Sequence, residues 1–269
     1  MCSTCGCGGE DATTRVTLVE GPEQAQPHGH AHLHDHPHDH DHAHDHDHAT
    51  RTVLLEQDIL AKNDLLAAAT RHRLAERSIT AINLMSSPGS GKTTLLERTI
   101  TDIGDRRETL VIEGDQETWL DAQRIRATGR KVVQINTGAG CHLDAEMLGR
   151  GLTELDPPDG SLVFVENVGN LVCPALFDLG ESARVVIISV TEGADKPAKY
   201  PYMFRTADLV LLNKVDLLPY VDFDVDLCLD LIHRLQPDVE MLPVSATRGD
   251  GLDAWHEWLA NRSAATVLQ

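Results

Sequence analysis

The feature that most constrains this chain is a glycine-rich stretch between an apolar run and a helical run. Residues 85–94 read Met-Ser-Ser-Pro-Gly-Ser-Gly-Lys-Thr-Thr, after a β-type run at 79–84 and before a helical run at 95–103. This order is typical of a phosphate-binding loop, because glycines let backbone N–H groups approach phosphate oxygens and the helix N-terminus attracts anions. Ser86 departs from the motif G-x-x-x-x-G-K-[ST] at its first glycine. The alternative interpretation is a glycine-rich turn that binds no nucleotide.

Two residues of this loop carry reactive groups. The Lys92 ammonium can reach the β- and γ-phosphates, and the Thr93 hydroxyl can ligate Mg²⁺. The predicted nucleotide-binding residues of the loop are Pro88, Gly89, Ser90, Gly91, Lys92, Thr93 and Thr94.

From residue 79 onward, strand patterns alternate with helix patterns. The predicted strands are 79–85, 108–113, 131–136, 161–166, 184–190, 208–213 and 239–243. The predicted helices are 93–103, 117–128, 143–154, 195–206, 224–235 and 250–262. Alternation of this kind predicts an α/β P-loop NTPase with a mainly parallel sheet of about seven strands flanked by helices. Ligands of such sheets bind beyond the carboxyl ends of the strands.

Two strand ends carry acidic residues that suit phosphate and Mg²⁺ chemistry. Asp115 follows the second predicted strand, where it is equally compatible with a Mg²⁺ contact and with a helix N-cap. Glu166 ends the fourth predicted strand, three residues before Gly169. This spacing resembles the D-x-x-G element that senses a γ-phosphate, with Glu in place of Asp. Lys92, Thr93, Asp115 and Glu166 are therefore the predicted catalytic residues.

Two further strand ends predict a guanine pocket. Residues 213–216 read Asn-Lys-Val-Asp, the N-K-x-D element whose Asp accepts hydrogen bonds from guanine N1–H and N2–H. Residues 245–247 read Ser-Ala-Thr and resemble the S-A-K element, with Thr247 in place of Lys. The predicted guanine-binding residues are Asn213, Lys214, Asp216, Ser245 and Ala246.

The N-terminal segment is rich in metal-ligating residues. Three thiols lie within one short glycine-containing stretch, at Cys2, Cys5 and Cys7. Three thiolates at this spacing suit Ni²⁺ or Zn²⁺. Residues 10–27 are polar and predict a linker. A histidine then stands at every even position up to 48, interleaved with aspartates, and such a segment is expected to be disordered without metal and to store or buffer it. These histidines are His28, His30, His32, His34, His36, His38, His40, His42, His44, His46 and His48.

A second candidate metal site lies in the α/β region. Cys141 and His142 are adjacent at a predicted loop-to-helix junction, where a helix N-terminus would lower the thiol pKa. Cys173 follows the Glu166–Gly169 element and would move with it. Together the three make a plausible ligand set, one short of a closed tetrahedral site, and a two-fold dimer could bring two sets together. The alternatives are incidental loop residues and, for Cys173, a small buried hydrophobe.

Charge and hydropathy exclude several classes of function. The formal net charge of −19 makes nucleic acid an unfavourable partner. The longest apolar runs are strand-sized, so no membrane span is predicted, and no secretory signal is visible. These features predict a cytoplasmic protein, in which six cysteines are better explained as metal or redox ligands than as disulfides. The predicted organisation is a metal-binding tail at 1–50, a helical segment at 51–78 and a GTPase domain at 79–269.

The combined motifs resemble the hydrogenase nickel-incorporation GTPases of the HypB family, within the SIMIBI class of P-loop GTPases. The resemblance covers the whole chain apart from the length of the histidine-rich tract. It implies a GTP-hydrolysing nickel metallochaperone, Mg²⁺-dependent and slow, that dimerises with nucleotide across the interface. It also implies delivery of Ni²⁺ to the [NiFe]-hydrogenase large subunit with HypA, a small zinc protein.

The resemblance also assigns roles to individual residues. Cys2, Cys5 and Cys7 match the N-terminal nickel motif. Cys141, His142 and Cys173 match the inner site, which takes Ni²⁺ or Zn²⁺. Two rivals stay open: a urease accessory GTPase of the UreG type, and a nickel-storage protein whose GTPase is vestigial. The UreG type would show Cys-Pro-His, whereas Cys173 and Pro174 precede Ala175 here.

Overall fold

The computed structural model describes residues 15–19, 46–115, 120–138 and 140–267, of which 46–56 and 263–267 are described by their backbone alone. The strands are β1 (Arg15–Leu18), β2 (Thr80–Ser86), β3 (Thr109–Asp115), β4 (Val132–Asn136), β5 (Leu162–Glu166), β6 (Ala183–Ser189), β7 (Leu209–Asn213) and β8 (Glu240–Pro243). The α-helices are α1 (His46–Glu76), α2 (Lys92–Ile103), α3 (Leu120–Arg126), α4 (Ala145–Leu155), α5 (Lys196–Lys199), α6 (Pro201–Arg205), α7 (Val225–Leu235) and α8 (Leu252–Val267).

The strands form one sheet with the order β1-β4-β3-β5-β2-β6-β7-β8. Every neighbouring pair is parallel except β1 with β4, which is antiparallel. Helices cover both faces, with α2, α3 and α8 on one and α1, α4, α6 and α7 on the other. Burial on both faces explains why the central strands are continuous apolar runs. The predicted fold class is confirmed.

The prediction of a featureless linker over 10–27 is wrong at its centre. Arg15–Leu18 forms an edge strand whose register pairs Arg15 with Asn136 and Leu18 with Val133. Val16 and Leu18 pack against the core beneath the sheet. A four-residue strand has little periodicity of its own, and its stability comes from pairing with β4.

Three helix predictions also change. One helix, α1, covers most of the segment 51–78, in agreement with the one or two expected, but it begins earlier, at His46 inside the segment predicted to be a tail. The predicted helix over 195–206 is divided into α5 and α6, because Pro201 has no N–H to continue the helix. The predicted helix over 117–128 is shorter, since α3 begins at Leu120 and residues 116–119 lie outside the described ranges.

Helix α1 approaches the main chain of the segment after β5 very closely. Gly180 has a φ of 85°, and a Cβ there would collide with the Ala67 carbonyl oxygen and press on Thr70. The absence of a side chain at Gly180 therefore allows α1 to pack directly on this segment.

Gly180→Ala should lower the free energy of unfolding by about 2–4 kcal/mol, since it combines a left-handed backbone with a collision against main chain. The matched control is Gly160→Ala, which has a similar φ of 77° and open space around its Cβ. That control should cost only about 1 kcal/mol. Urea unfolding of both variants measures the difference, and equal losses would contradict tight packing of α1 on Gly180.

Candidate nucleotide and metal site

The N-K-x-D loop donates hydrogen bonds to the main chain of the predicted phosphate-binding loop. Gly91 has a φ of 93°, and a Cβ at this position would lie 2.6 Å from Asn213 Nδ2. Asn213 Nδ2 donates to the Ser90 carbonyl at 2.9 Å, and Lys214 Nζ donates to the Gly89 carbonyl at 2.7 Å. These contacts connect the two ends of the candidate nucleotide site directly.

The remaining polar groups of the loop have distinct surroundings. Ser90 Oγ is buried without a hydrogen-bond partner among the described residues, so its hydroxyl is available to a ligand. Thr94 Oγ1 accepts a hydrogen bond from Arg124 at 3.1 Å. Pro88 lies against Gly169, where a Cβ would sit 3.3 Å from Pro88 Cγ. The loop is therefore in contact with the Glu-x-x-Gly segment on one side.

Asp216, the residue predicted to bind guanine, already accepts a hydrogen bond within the protein. Asp216 is half-buried, and its Oδ1 accepts a hydrogen bond from Ser245 Oγ at 2.6 Å. The Ala246 N–H donates to Asn213 Oδ1 at 3.2 Å. A base entering this pocket would exchange the hydroxyl of Ser245 for its own N–H donors at Asp216.

At the phosphate end, Lys92 and Thr93 contact the end of β5. The Lys92 ammonium is buried, donates to the Asn167 carbonyl and lies 3.8 Å from Glu166 Oε1. Thr93 Oγ1 donates to the same Glu166 oxygen at 2.6 Å. The loop lysine is thus paired with the segment predicted to sense the γ-phosphate.

Sequence reasoning missed Glu113, which lies on β3 beside Glu166. Glu113 and Glu166 are direct neighbours in the β3–β5 register, and each is 2% exposed. Burial raises the pKa of Glu113 to about 9, and the charges of Glu166 and Asp115 add to this shift while Lys92 opposes it. Burial also raises the pKa of Glu166, against the effect of Lys92 and Thr93. The sequence does contain a signal that could have revealed Glu113, since it is a charged residue that follows an apolar run in the predicted strand.

The oxygens gathered here fit Mg²⁺. Glu113 and Glu166 each have one buried carboxylate oxygen without a hydrogen-bond partner among the described residues, and the Thr93 hydroxyl is adjacent. Hard oxygen donors of this kind are what Mg²⁺ prefers. Asp115 ends β3 five residues before α3 begins, so it is not the N-cap of that helix.

The three inner metal-ligand candidates meet in the structure. The ligating atoms of Cys141, His142 and Cys173 all lie within 4.8 Å of one another. Cys141 Sγ lies 3.8 Å from His142 Nδ1, and Cys173 begins a 3-10 turn that follows β5. Three convergent soft and borderline ligands suit Ni²⁺ or Zn²⁺.

The surroundings of His142 favour its neutral form. Its ring stacks on Phe177 with centroids 4.0 Å apart. Burial lowers the pKa of His142, and the charge of Asp144 only partly offsets this. The expectation of a helix N-terminus at Cys141 is wrong, because α4 begins at Ala145 with Asp144 as its N-cap.

Asn167 joins the two sites. Its fully buried side chain accepts hydrogen bonds from the Leu143 N–H at 3.2 Å and the Val168 N–H at 2.9 Å, and donates to Asn83 at 3.3 Å. Leu143 directly follows His142, and the Asn167 carbonyl is the one that Lys92 contacts. One residue therefore touches both the phosphate-binding lysine and the metal-ligand loop.

The N-terminal candidates are outside the described side chains. Cys2, Cys5, Cys7 and the histidines at even positions from 28 to 44 lie outside the described residues, and His46 and His48 lie in α1 where only the backbone is described. Cys228, outside both sites, is fully buried, and burial raises its pKa to about 12, as expected of a core thiol.

Comparison with known proteins decides the family. A family profile described as "CobW/HypB/UreG, nucleotide-binding domain" matches residues 80–243. A protein of Azotobacter vinelandii named Hydrogenase maturation factor HypB is 49% identical, over 100% of this chain and 94% of its own length. The chain belongs to the HypB family. The predicted family and its nucleotide-binding α/β domain are confirmed.

Other HypB relatives agree with this assignment. The Escherichia coli K12 protein of the same name is 53% identical over 80% of this chain and 74% of its own. A crystal structure of HypB from Helicobacter pylori in complex with nickel matches with a TM-score of 0.71 and 37% identity, covering 76% of this chain and 96% of that one. The crystal structure of HypB from Archaeoglobus fulgidus gives the same TM-score at 41% identity, covering 76% and 100%.

Within the described ranges of this HypB-family chain, no helix combines the length and the apolar character that crossing a bilayer requires.

Glu113→Gln should make the folded chain less sensitive to alkaline pH. Because the folded pKa of Glu113 is raised, the folded state binds the extra proton, and stability falls as pH rises from about 5 to 9. The amide cannot ionise, so at pH 8 the variant should be more stable than the parent by about 4–5 kcal/mol. Urea unfolding in EDTA without nucleotide at pH 5 and pH 8 measures this. Identical pH dependence in both proteins would show that Glu113 ionises normally.

Proposed function

We propose that this chain is a GTP-hydrolysing nickel metallochaperone that stores Ni²⁺ and delivers it to the large subunit of a [NiFe]-hydrogenase. The observation that carries the proposal is the position of Asn167 between Lys92 and the Cys141–His142 loop. Such a contact gives the nucleotide and the metal a shared structural element, which coupling between two sites requires. The relatives named as hydrogenase maturation factors, one of them crystallised with nickel, support the choice of cargo.

In this proposal, nucleotide binding replaces hydrogen bonds within the protein by hydrogen bonds to the nucleotide. Asp216 would release Ser245 to accept guanine N1–H and N2–H. Lys92 would release the Asn167 carbonyl to bind the β- and γ-phosphates, and Ser90 would supply a further hydroxyl. Both exchanges replace an internal hydrogen bond with one to the ligand.

Hydrolysis of GTP to GDP and phosphate would depend on how the protein positions the phosphates and Mg²⁺. Thr93, Glu166 and Glu113 would hold Mg²⁺, with Asp115 close by on β3, and the bound ion supplies electrostatic stabilisation of the phosphates. Because catalysis then depends on positioning and on Mg²⁺, we expect intrinsic turnover to be slow.

Coupling runs from Lys92 to the metal ligands. When Lys92 leaves the Asn167 carbonyl, residues 166–169 lose a contact that holds them at the loop. Asn167 then shifts relative to Leu143, and Cys173 moves with the same segment. The geometry of the three ligands therefore differs between GTP and GDP states.

The wider cycle follows the family resemblance. Cys2, Cys5 and Cys7 would hold delivered nickel, and the histidine-rich tract would store it. The chain would form a homodimer with GTP and metal, would work with a HypA-like zinc or nickel protein, and would act in the cytoplasm. Neither nucleic acid nor a membrane is a partner, and Zn²⁺ is a second occupant of the inner site.

One relative keeps a second function open. A Helicobacter hepaticus protein, 38% identical, carries the name Hydrogenase/urease maturation factor HypB. A nickel-delivery site of the kind proposed here could serve either enzyme, so the urease role is the second candidate. A storage protein with a vestigial GTPase is less consistent with the residues, because Lys92, Thr93 and Asp216 are all present.

Nickel affinity at the inner site should depend on the bound nucleotide. In full-length chain with Cys2, Cys5 and Cys7 changed to Ala, thiolate-to-nickel absorption reports Cys141 and Cys173. Titration against a competing chelator should give affinities that differ about five-fold or more between GDP and a non-hydrolysable GTP analogue. Cys173→Ala should abolish the difference.

The control for this titration is Cys228→Ala, which removes a buried thiol away from the cluster and should preserve the nucleotide dependence. Equal nickel affinities with both nucleotides would refute the switch. Deleting residues 1–50 is a poorer design, because it removes β1 and the first turn of α1.

Asp216→Asn should change the base that the chain selects. An Asn amide accepts from N1–H of xanthine and donates to its O2, while it repels the N2–H₂ group of guanine. GDP affinity should fall at least about 100-fold, and XDP should bind better than GDP. Titration of fluorescent nucleotides into parent and variant tests this. Unchanged GDP preference would remove Asp216 from the pocket.

A further inference from the structure

Asn63 on α1 makes two buried hydrogen bonds to different parts of the chain. It is 6% exposed, Nδ2 donates to the Asp178 carbonyl at 2.8 Å, and Oδ1 accepts from the Ala145 N–H at 3.0 Å. Both ends of the side-chain amide are therefore used. A buried amide in such a position fixes the distance between the two main-chain segments it joins.

These two segments enclose His142. Ala145 begins α4 three residues after His142, on the segment that carries Cys141. Asp178 directly follows Phe177, whose ring stacks on the imidazole. Asn63 therefore holds the loop that bears His142 to the segment that supports its ring from the other side.

Helix α1 is anchored at the same place by further contacts. Arg71 Nη2 lies 2.6 and 2.8 Å from the two carboxylate oxygens of Asp178. Gly180 packs against the Ala67 carbonyl, two residues beyond Asp178. The position of α1 is thus fixed relative to residues 177–180, and through Asn63 relative to Ala145.

We propose that Asn63 is a positioning residue for the inner metal cluster, and that α1 is a structural part of that site. The inference rests on the proposed function, since it requires Cys141, His142 and Cys173 to bind metal. Residues that orient metal ligands without touching the ion typically change affinity 10–100-fold when they are removed. Asn63 acts in this way on the orientation of His142.

The position of Asn63 along α1 also matters. The helix begins at His46, within the histidine-rich stretch, and Asn63 lies roughly 25 Å further along its axis. Because Asn63 belongs to this helix, the inference makes the orientation of His142 depend on the position of α1 relative to Asp178 and Ala145.

The test uses Co²⁺ as a probe in full-length chain with Cys2, Cys5 and Cys7 changed to Ala. Thiolate-to-cobalt bands then report Cys141 and Cys173, and d–d bands report the coordination geometry. Asn63→Ala should weaken Co²⁺ binding at these bands about ten-fold or more and alter the d–d intensity. Asn63→Asp keeps the acceptor for Ala145 but loses the donor to Asp178, and should show a smaller change in the same direction.

Two control variants separate positioning from stability. Lys62→Ala removes an exposed ion pair from α1 to Glu146 on α4 and should leave the Co²⁺ titration unchanged. Thr99→Val removes a buried hydrogen bond to Trp255 on the opposite face of the sheet. Thr99→Val should lower thermal stability as Asn63→Ala does, without weakening Co²⁺ binding.

The outcomes separate this inference from the proposed function. Parent-like affinity and spectra in Asn63→Asp and in folded Asn63→Ala would overturn it, as would an equal loss of affinity in Thr99→Val. If Asn63→Ala does not fold, Asn63→Asp decides alone. If the parent itself shows no thiolate-to-cobalt bands, the inner site does not bind metal, and the proposed function and this inference fail together.

Discussion

The pairing of Lys92 with the end of β5 is the interaction on which the site depends. A buried ammonium must be matched by charge or by hydrogen-bond acceptors, because desolvation of an unpaired cation is costly. Here Glu166 and the Asn167 carbonyl supply that match. In the proposed function, the same atoms would release Lys92 when a phosphate binds. The conformation of residues 166–169 would then depend on which group pairs with the lysine.

The order of the strands explains why this lysine lies close to the candidate metal site. The phosphate loop follows β2, Cys173 follows β5, and the Cys141–His142 loop follows β4, with β3 lying between β4 and β5. The last loop must therefore pass over the end of β3 to reach Cys173. Gly114 permits this, because a Cβ there would lie 2.7 Å from Leu143 Cγ. Both candidate sites then share the carboxyl edge of four adjacent strands, β4, β3, β5 and β2.

Sequence reasoning predicted those parts of the fold that are encoded in short stretches of neighbouring residues. The glycine loop, the N-K-x-D element and the strand-end Glu166 could be placed because each has its own spacing and follows an apolar run. Their meeting at one sheet edge then follows from parallel topology.

What the sequence could not reveal depends on pairing across the fold. β1 has no periodicity to detect and forms because β4 offers an open edge. Asn167 and Asn63 are ordinary polar residues in their local context, and their roles come from partners far away in sequence. The raised pKa of Glu113 likewise comes first from burial within the fold, and the charge of Glu166 on β5 adds to it. Tertiary contacts, which a single sequence does not display, create all of these features.

Strand β1 also protects one edge of the sheet. It pairs antiparallel with β4 from Arg15 to Leu18, and Val16 and Leu18 cover part of the core. Without β1, the backbone groups of β4 on that side would be free to pair with a strand of another molecule, which favours aggregation. A short strand near the N-terminus therefore limits edge-to-edge association of the folded domain.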